Sequence, residues 1–173
     1  MSNEIRDSIM GSLLGEQKHK GLYISGLTTL DREICSSMFN RCKADIIDMS
    51  DVDISYAVDM SNMFSWSRIQ TIILPRMSAH RLKRVSHMFA GCCVGHIDMS
   101  GFDAPSIVEM YKMFTYCDIE HLDLSCLRMD SVKDTRKMFY ECKAKTIKVR
   151  HSQTKLIEQI RLDRLEHAIV YVD

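Results

Sequence analysis

The chain has 173 residues, enough for one ordinary domain with a continuous core. Its 46% hydrophobic and 27% charged residues exclude a disordered chain, and 2 prolines with 7 glycines leave no long flexible linker. Basic and acidic side chains balance at 23 each, so bulk charge argues neither for nucleic acid nor for a membrane.

Residues 1–20 carry acids early and have no continuous apolar run, which predicts neither a secretory signal nor a membrane span. Ile5, Ile9, Leu13 and Leu14 fall at helical spacing, so an N-terminal cap is expected over 1–20. Seven cysteines make an odd count without an export signal. Reduced thiols in the cytoplasm, with no structural disulfide, are the expectation.

An array of 25-residue units is expected over 21–150. Met-Phe recurs at Met38-Phe39, Met63-Phe64, Met88-Phe89, Met113-Phe114 and Met138-Phe139, always 25 residues apart. Four residues after each Met come Cys42, Ser67, Cys92, Cys117 and Cys142, which read as a small internal column near a turn. Apolar positions then follow at steps of three, two and three, clearest in Ile119, Leu122, Leu124 and Leu127. The fourth position is Val52, Met77, Phe102 and Leu127 in successive units. This L-x-x-L-x-L-x-x spine describes a short strand with one buried face, stacked into a parallel sheet. Gly21–Leu27 fits the same register one unit before Ile47, bringing the strands to six.

In the second half of each unit, as in Ile107, Met110, Met113 and Phe114, apolar residues fall three and four apart. That spacing predicts a short helix or 3₁₀ turn, with Ser55, Pro105 and Asp130 at its start. Trp66, Tyr116 and Tyr140 near the following turn read as core or rim packing. Over 151–173 the pattern predicts a capping helix, N-capped by Ser152 and running to about His167, then a closing strand to Val172. The predicted fold is an α/β leucine-rich-repeat solenoid, right-handed, with six to seven parallel strands, short helical turns and terminal caps.

The segments Ile47-Asp48-Met49-Ser50, Ile97-Asp98-Met99-Ser100 and Leu122-Asp123-Leu124-Ser125 precede the Met-Phe-x-x-Cys element. In combination they resemble the BspA-type leucine-rich repeats, also described as bacterial surface-protein or mycoplasma-lipoprotein repeats. The resemblance spans about 21–150 and implies protein binding or adhesion rather than one defined activity. In a short chain with no export signal it points to a compact intracellular binder.

The outward strand positions define the expected binding face: Tyr23, Asp48, Ile73, His96, Asp98, His121, Asp123, Lys148 and Arg150. Ile73 puts an apolar side chain where three other units have Asp, which makes it the leading hot-spot candidate. Asp98 and Asp123 are expected to support no core, so that reversing their charge leaves the melting temperature nearly unchanged. The rows His96-Asp98-Ser100 and His121-Asp123-Ser125 raise hydrolytic or metal-binding alternatives. Side chains two apart on a strand lie about 7 Å from one another, too far for a triad. Neither a catalytic constellation nor a cofactor motif is expected. Charge is segregated: Asp45, Asp48, Asp51, Asp53 and Asp59 lie near one end, whereas 133–155 holds eight Lys or Arg against Asp134 and Glu141. Nucleic acid at this basic C-terminal half is a further alternative. The reading that unites these features is a non-catalytic protein-binding module, an inhibitor or adaptor, including one encoded by a phage or virus.

Overall fold

An alternating strand buries only one face, so each 25-residue unit needs its neighbours to complete a core. The computed structural model describes residues 35–172 together with the backbone of Leu22–Tyr23; the N-terminal cap expected over 1–20 lies outside the described residues. The units stack as a parallel β-solenoid. Its strands are β1 (Leu22–Tyr23), β2 (Lys43–Asp48), β3 (Arg68–Ile73), β4 (Cys93–Asp98), β5 (His121–Asp123), β6 (Thr146–Arg150) and β7 (Ile169–Val172). Registers advance by one unit per strand, so Leu22, Ile47, Ile72 and Ile97 are consecutive partners, as are Leu122 and Ile147. Ile47, Ile72, Ile97, Leu122 and Ile147 form the buried column that their spacing predicts.

The turn half of each unit departs from the predicted helix. Residues 61–66, 86–91, 111–116 and 136–141 form successive hydrogen-bonded turns. A helix would return each N–H to the carbonyl four residues back. Here the N–H of Phe39, Phe64, Phe89 and Phe114 donates instead to the carbonyl of Met63, Met88, Met113 and Met138, one coil ahead. Left-handed residues at Ser37, Asn62, His87, Lys112 and Lys137, and again at Arg41, Trp66, Gly91, Tyr116 and Glu141, break any helical run twice per coil. The expected helix starts at Ser55, Pro105 and Asp130 are likewise turns. Spacings of three and four report a buried face, which tight turns share with helices.

Between the strand and turn layers runs a ladder of five phenylalanines. Phe39, Phe64, Phe89, Phe114 and Phe139 are fully buried, with successive centroids 5.4, 5.4, 5.2 and 5.6 Å apart and planes within 12°. Coils rise by about 4.8 Å, so the rings slip sideways into the favoured offset stack. Beside them lies the predicted small column, Cys42, Ser67, Cys92, Cys117 and Cys142, also buried. Met77 departs from its column and is 42% exposed. Its counterparts Val52, Phe102 and Leu127 each close a turn by donating N–H to Met49, Met99 and Leu124, a bond the Pro75 coil does not form at Met77.

The far end is closed by the helix α1 (Thr154–Leu162), shorter than predicted, and by β7, which pairs parallel with β6. Gln153, rather than Ser152, occupies the N-cap position, and its buried side chain serves the coil below. Gln153 Nε2 donates to the carbonyls of Leu124 and Leu127 at 2.9 and 2.7 Å, while its Oε1 accepts from the Arg150 N–H. Asp163 Oδ2 accepts from the Phe139 N–H at 2.9 Å, standing in for the carbonyl a further coil would supply. Leu156, Ile157 and Ile160 cover the core beneath.

Two truncations test this packing. Leu122→Ala should cost about 2–5 kcal/mol, and Phe89→Ala about 3–5 kcal/mol because it interrupts the ladder at its middle rung. Equilibrium denaturation reads both, and losses well under 1 kcal/mol would remove these columns from the core.

Candidate functional site

The outward rows divide into two groups, because the sheet does. One sheet runs β1-β2-β3-β4 and the other β5-β6-β7. Tyr23, Asp48, Ile73 and Asp98 are consecutive partners on the first, although the Tyr23 side chain lies outside the described residues. On the second, His121 pairs with Thr146 and Asp123 with Lys148. The continuous face expected from the register is therefore interrupted between β4 and β5. His96 and His121, and Asp98 and Asp123, flank that break instead of sharing a ladder.

The break has identifiable causes. Beside the strands most side-chain ties pull one of the two coils away from the other, while Arg128–Asp103 at 3.0 Å holds them together farther along. Arg76 Nη2 reaches Asp98 at 3.4 Å on the β3 side. On the β6 side Lys145 pairs with Glu120, Lys148 lies 3.9 Å from Asp123, and His121 Nδ1 is 2.9 Å from Thr146 Oγ1. The Glu120 carbonyl accepts from both Lys145 and Thr146 N–H, fastening that coil to β6. Gly95 lets β4 lie close on β3, where a Cβ would come within 2.7 Å of the Gln70 carbonyl oxygen. Asp98 and Asp123 bring like charges to facing positions, which opposes pairing. What remains is a cleft of about 440 Å³ bordered by His96, Asp98, Ser100, Asp123, Cys126 and Arg150. The Cys126 thiol spans its base, donating to the Met99 carbonyl at 3.2 Å.

The Asp-x-Ser element has a local role that the sequence reading missed. Asp48, Asp98 and Asp123 each accept, through Oδ1, the N–H of the Ser two residues on, at 2.9, 2.9 and 3.1 Å. These carboxylates therefore hold the turn that ends the strand, whereas Asp98 and Asp123 were expected to leave the fold untouched. Short polar side chains that bond their own backbone two residues on are strong turn formers. Asp53 and Asp59 repeat the device with Ser55 and Ser61. In the His121 row, Ser125 Oγ donates to Asp123 at 2.6 Å while His121 bonds Thr146, so the three side chains do not line up as a relay. Among the described residues no three His, Cys, Asp or Glu side chains converge as a metal site.

These bonds set the local electrostatics. The Ser100 N–H and hydroxyl, with Arg76, hold the Asp98 carboxyl below its ordinary range. Burial pushes the Asp59 carboxyl up, but bonds from Ser61 and Arg84 outweigh it and leave it lowered. The Arg136 guanidinium lowers Asp134. Burial pushes the Cys92 thiol up to about 12, and a hydrogen bond with Cys142, then burial, raises Cys117. No disulfide joins any of the cysteines among the described residues, and Cys93 is the exposed one.

On the opposite edge of the coil the structure exposes residues the sequence reading assigned to packing. Trp66, Tyr116 and Tyr140 are 57%, 49% and 40% exposed. Trp66 and Tyr116 occupy the left-handed position that Gly91 fills in the coil between them, with φ of 59° and 55°. The glycine was the available signal. At this second left-handed position of the turn the side chain is exposed in Arg41, Trp66, Tyr116 and Glu141 alike, whatever its hydrophobicity.

No curated protein and no solved structure matches the chain. No helix among the described residues is long and apolar enough to cross a membrane.

Two measurements follow. Native thiols should react with a small disulfide reagent in order of access, Cys93 first and the five-coil column only on unfolding; rapid reaction of Cys92 or Cys117 would contradict their burial. The lowered carboxyls contribute stability that is complete above the unfolded value of about 3.9 and is lost as pH falls through their folded values. The melting temperature should therefore drop as pH falls below about 4. Asp98→Asn with Asp134→Asn, which remove charge but keep an acceptor, should flatten that drop, and an unchanged slope would refute the assignment.

A family described as Mycoplasma protein of unknown function, DUF285, matches residues 33–153, which include strands β2 to β6, and the chain belongs to that family.

Proposed function

We propose that the chain is a non-catalytic binding module, an array of BspA-type leucine-rich repeats whose protein partner docks on the strand face. The supporting observation is the pair of aspartates facing across the β4–β5 break. Asp98 and Asp123 are drawn apart by bases on their own sides. A partner's Lys or Arg placed between them would relieve the repulsion and bond both.

Ile73 lies beside Asp98 in the same row and is half-buried, an apolar side chain among polar neighbours. An apolar anchor rimmed by charge is the composition of an interface centre. Lys148 and Arg150 add positive charge beyond the break, so the partner surface carries acids opposite them and a base opposite the aspartates. Tyr23, Asp48, His96 and His121 complete the contact surface. The role that fits is inhibitor or adaptor, in a reducing cytoplasmic compartment where free thiols persist.

Affinity capture followed by calorimetric titration with the captured protein tests this reading. Ile73→Lys should weaken binding at least tenfold. Asp98→Asn with Asp123→Asn should weaken it further while the turns keep their acceptors. Undiminished affinity in both variants, with unchanged circular dichroism, would take the partner off the strand face.

A further inference from the structure

The edge carrying Trp66, Tyr116 and Tyr140 also collects unpaired positive charge. Arg41, Lys43, Arg68, Lys112, Lys137 and Lys143 all lie on it. Lys112 is half-buried and the others are exposed. Among the described residues none of the six forms a salt bridge. The strand face differs, because Arg76, Lys145 and Lys148 are each held by a carboxylate there. The acids on this edge are Asp45, Asp118 and Glu120, which border one pocket with Arg68, and Glu141; Glu120 is taken up by Lys145, so three acids face the six cations. A chain of zero net charge thus presents one strip with a clear positive excess.

The strip is continuous and its rings are displayed. Lys43, Arg68 and Cys93 are register partners at the strand starts, and Cys93 bridges to Asp118. Tyr116 meets Tyr140 edge to face at 5.7 Å, and Lys137 lies 5.5 Å over the Tyr140 ring. Trp66 lies flat on Gly91, where a Cβ would come within 2.5 Å of the indole. One indole face is thereby seated on backbone while the ring as a whole remains largely exposed. From the coil of Arg41 to that of Lys143 are four steps of about 4.8 Å, or roughly 19 Å.

We propose that this edge binds single-stranded nucleic acid, phosphates along the lysine and arginine rows and bases stacked on Trp66, Tyr116 and Tyr140. Such recognition combines a basic track with sequence-tolerant aromatic platforms. An acidic protein would satisfy the cations and leave the rings unused. A bilayer would take projecting aromatics, whereas Trp66 is laid flat along the surface.

Trp66 is the single tryptophan of the chain, so its emission reports from the strip itself. Titration of the full chain with a twelve-residue oligothymidylate at low salt should quench that emission saturably. The affinity should fall with salt at a log–log slope of about −0.7 per phosphate contact. Lys112→Glu, Lys137→Glu and Lys143→Glu together should reduce that slope by about 2. Trp66→Ala, followed by anisotropy of a labelled oligonucleotide, should weaken binding about 5- to 150-fold, the loss of one stacked base. Ile73→Lys, on the other face, should leave these readings unchanged.

Absence of saturable binding at low salt overturns the proposal. Heparin binding as tightly as the oligonucleotide, with Trp66→Ala without effect, overturns it in favour of a general polyanion patch. Binding to polyglutamate but not to the oligonucleotide overturns it in favour of an acidic protein. A blue shift with phosphatidylserine vesicles, without quenching by the oligonucleotide, overturns it in favour of a membrane surface.

Discussion

Each coil of this solenoid is held to the next by backbone bonds on both of its long sides. On the strand side they form the parallel ladders, and on the turn side the Phe, left-handed and flanking residues donate one coil ahead. A turn N–H buried without a partner would cost about 1–3 kcal/mol. The conformation of each turn is therefore dictated by the coil above it rather than by its own helix propensity. The phenylalanine ladder follows from that lock, since equivalent backbone atoms in register place equivalent rings over one another.

The same dependence explains the cap. The last coil has no further coil to bond, so side chains take its place: Asp163 accepts from the Phe139 N–H, and Gln153 donates to the carbonyls of Leu124 and Leu127. Buried polar side chains are otherwise few, and none of their atoms is left unpaired among the described residues. Where lateral ties fail, as between β4 and β5, the sheet opens although the turn side stays locked, with Phe89 still donating to Met113 and Gly91 to Thr115. The core is therefore continuous beneath a divided face. The two long edges of the molecule consequently differ in chemistry: one shows ion-paired charges and a cleft, the other exposed aromatic rings and cations that, among the described residues, form no salt bridge.

The 25-residue register, the strand positions, the buried Ile/Leu and cysteine columns and the closing helix and strand were legible in the sequence alone. A single hydrophobic constraint repeats at the same step in five copies, and every copy must satisfy the same neighbour. Three features were decided only in the tertiary structure. Spacing of three and four does not say where the N–H groups go, so turns were indistinguishable from helices until the coil above was in place. The split face depends on a balance of ties from Arg76, Gly95, Glu120 and Lys145 to different neighbours, which no linear pattern records. Trp66 and Tyr116 point outward because their backbone is left-handed, and that conformation is imposed by bonds to the carbonyls of Ala90 and Tyr140, one coil away.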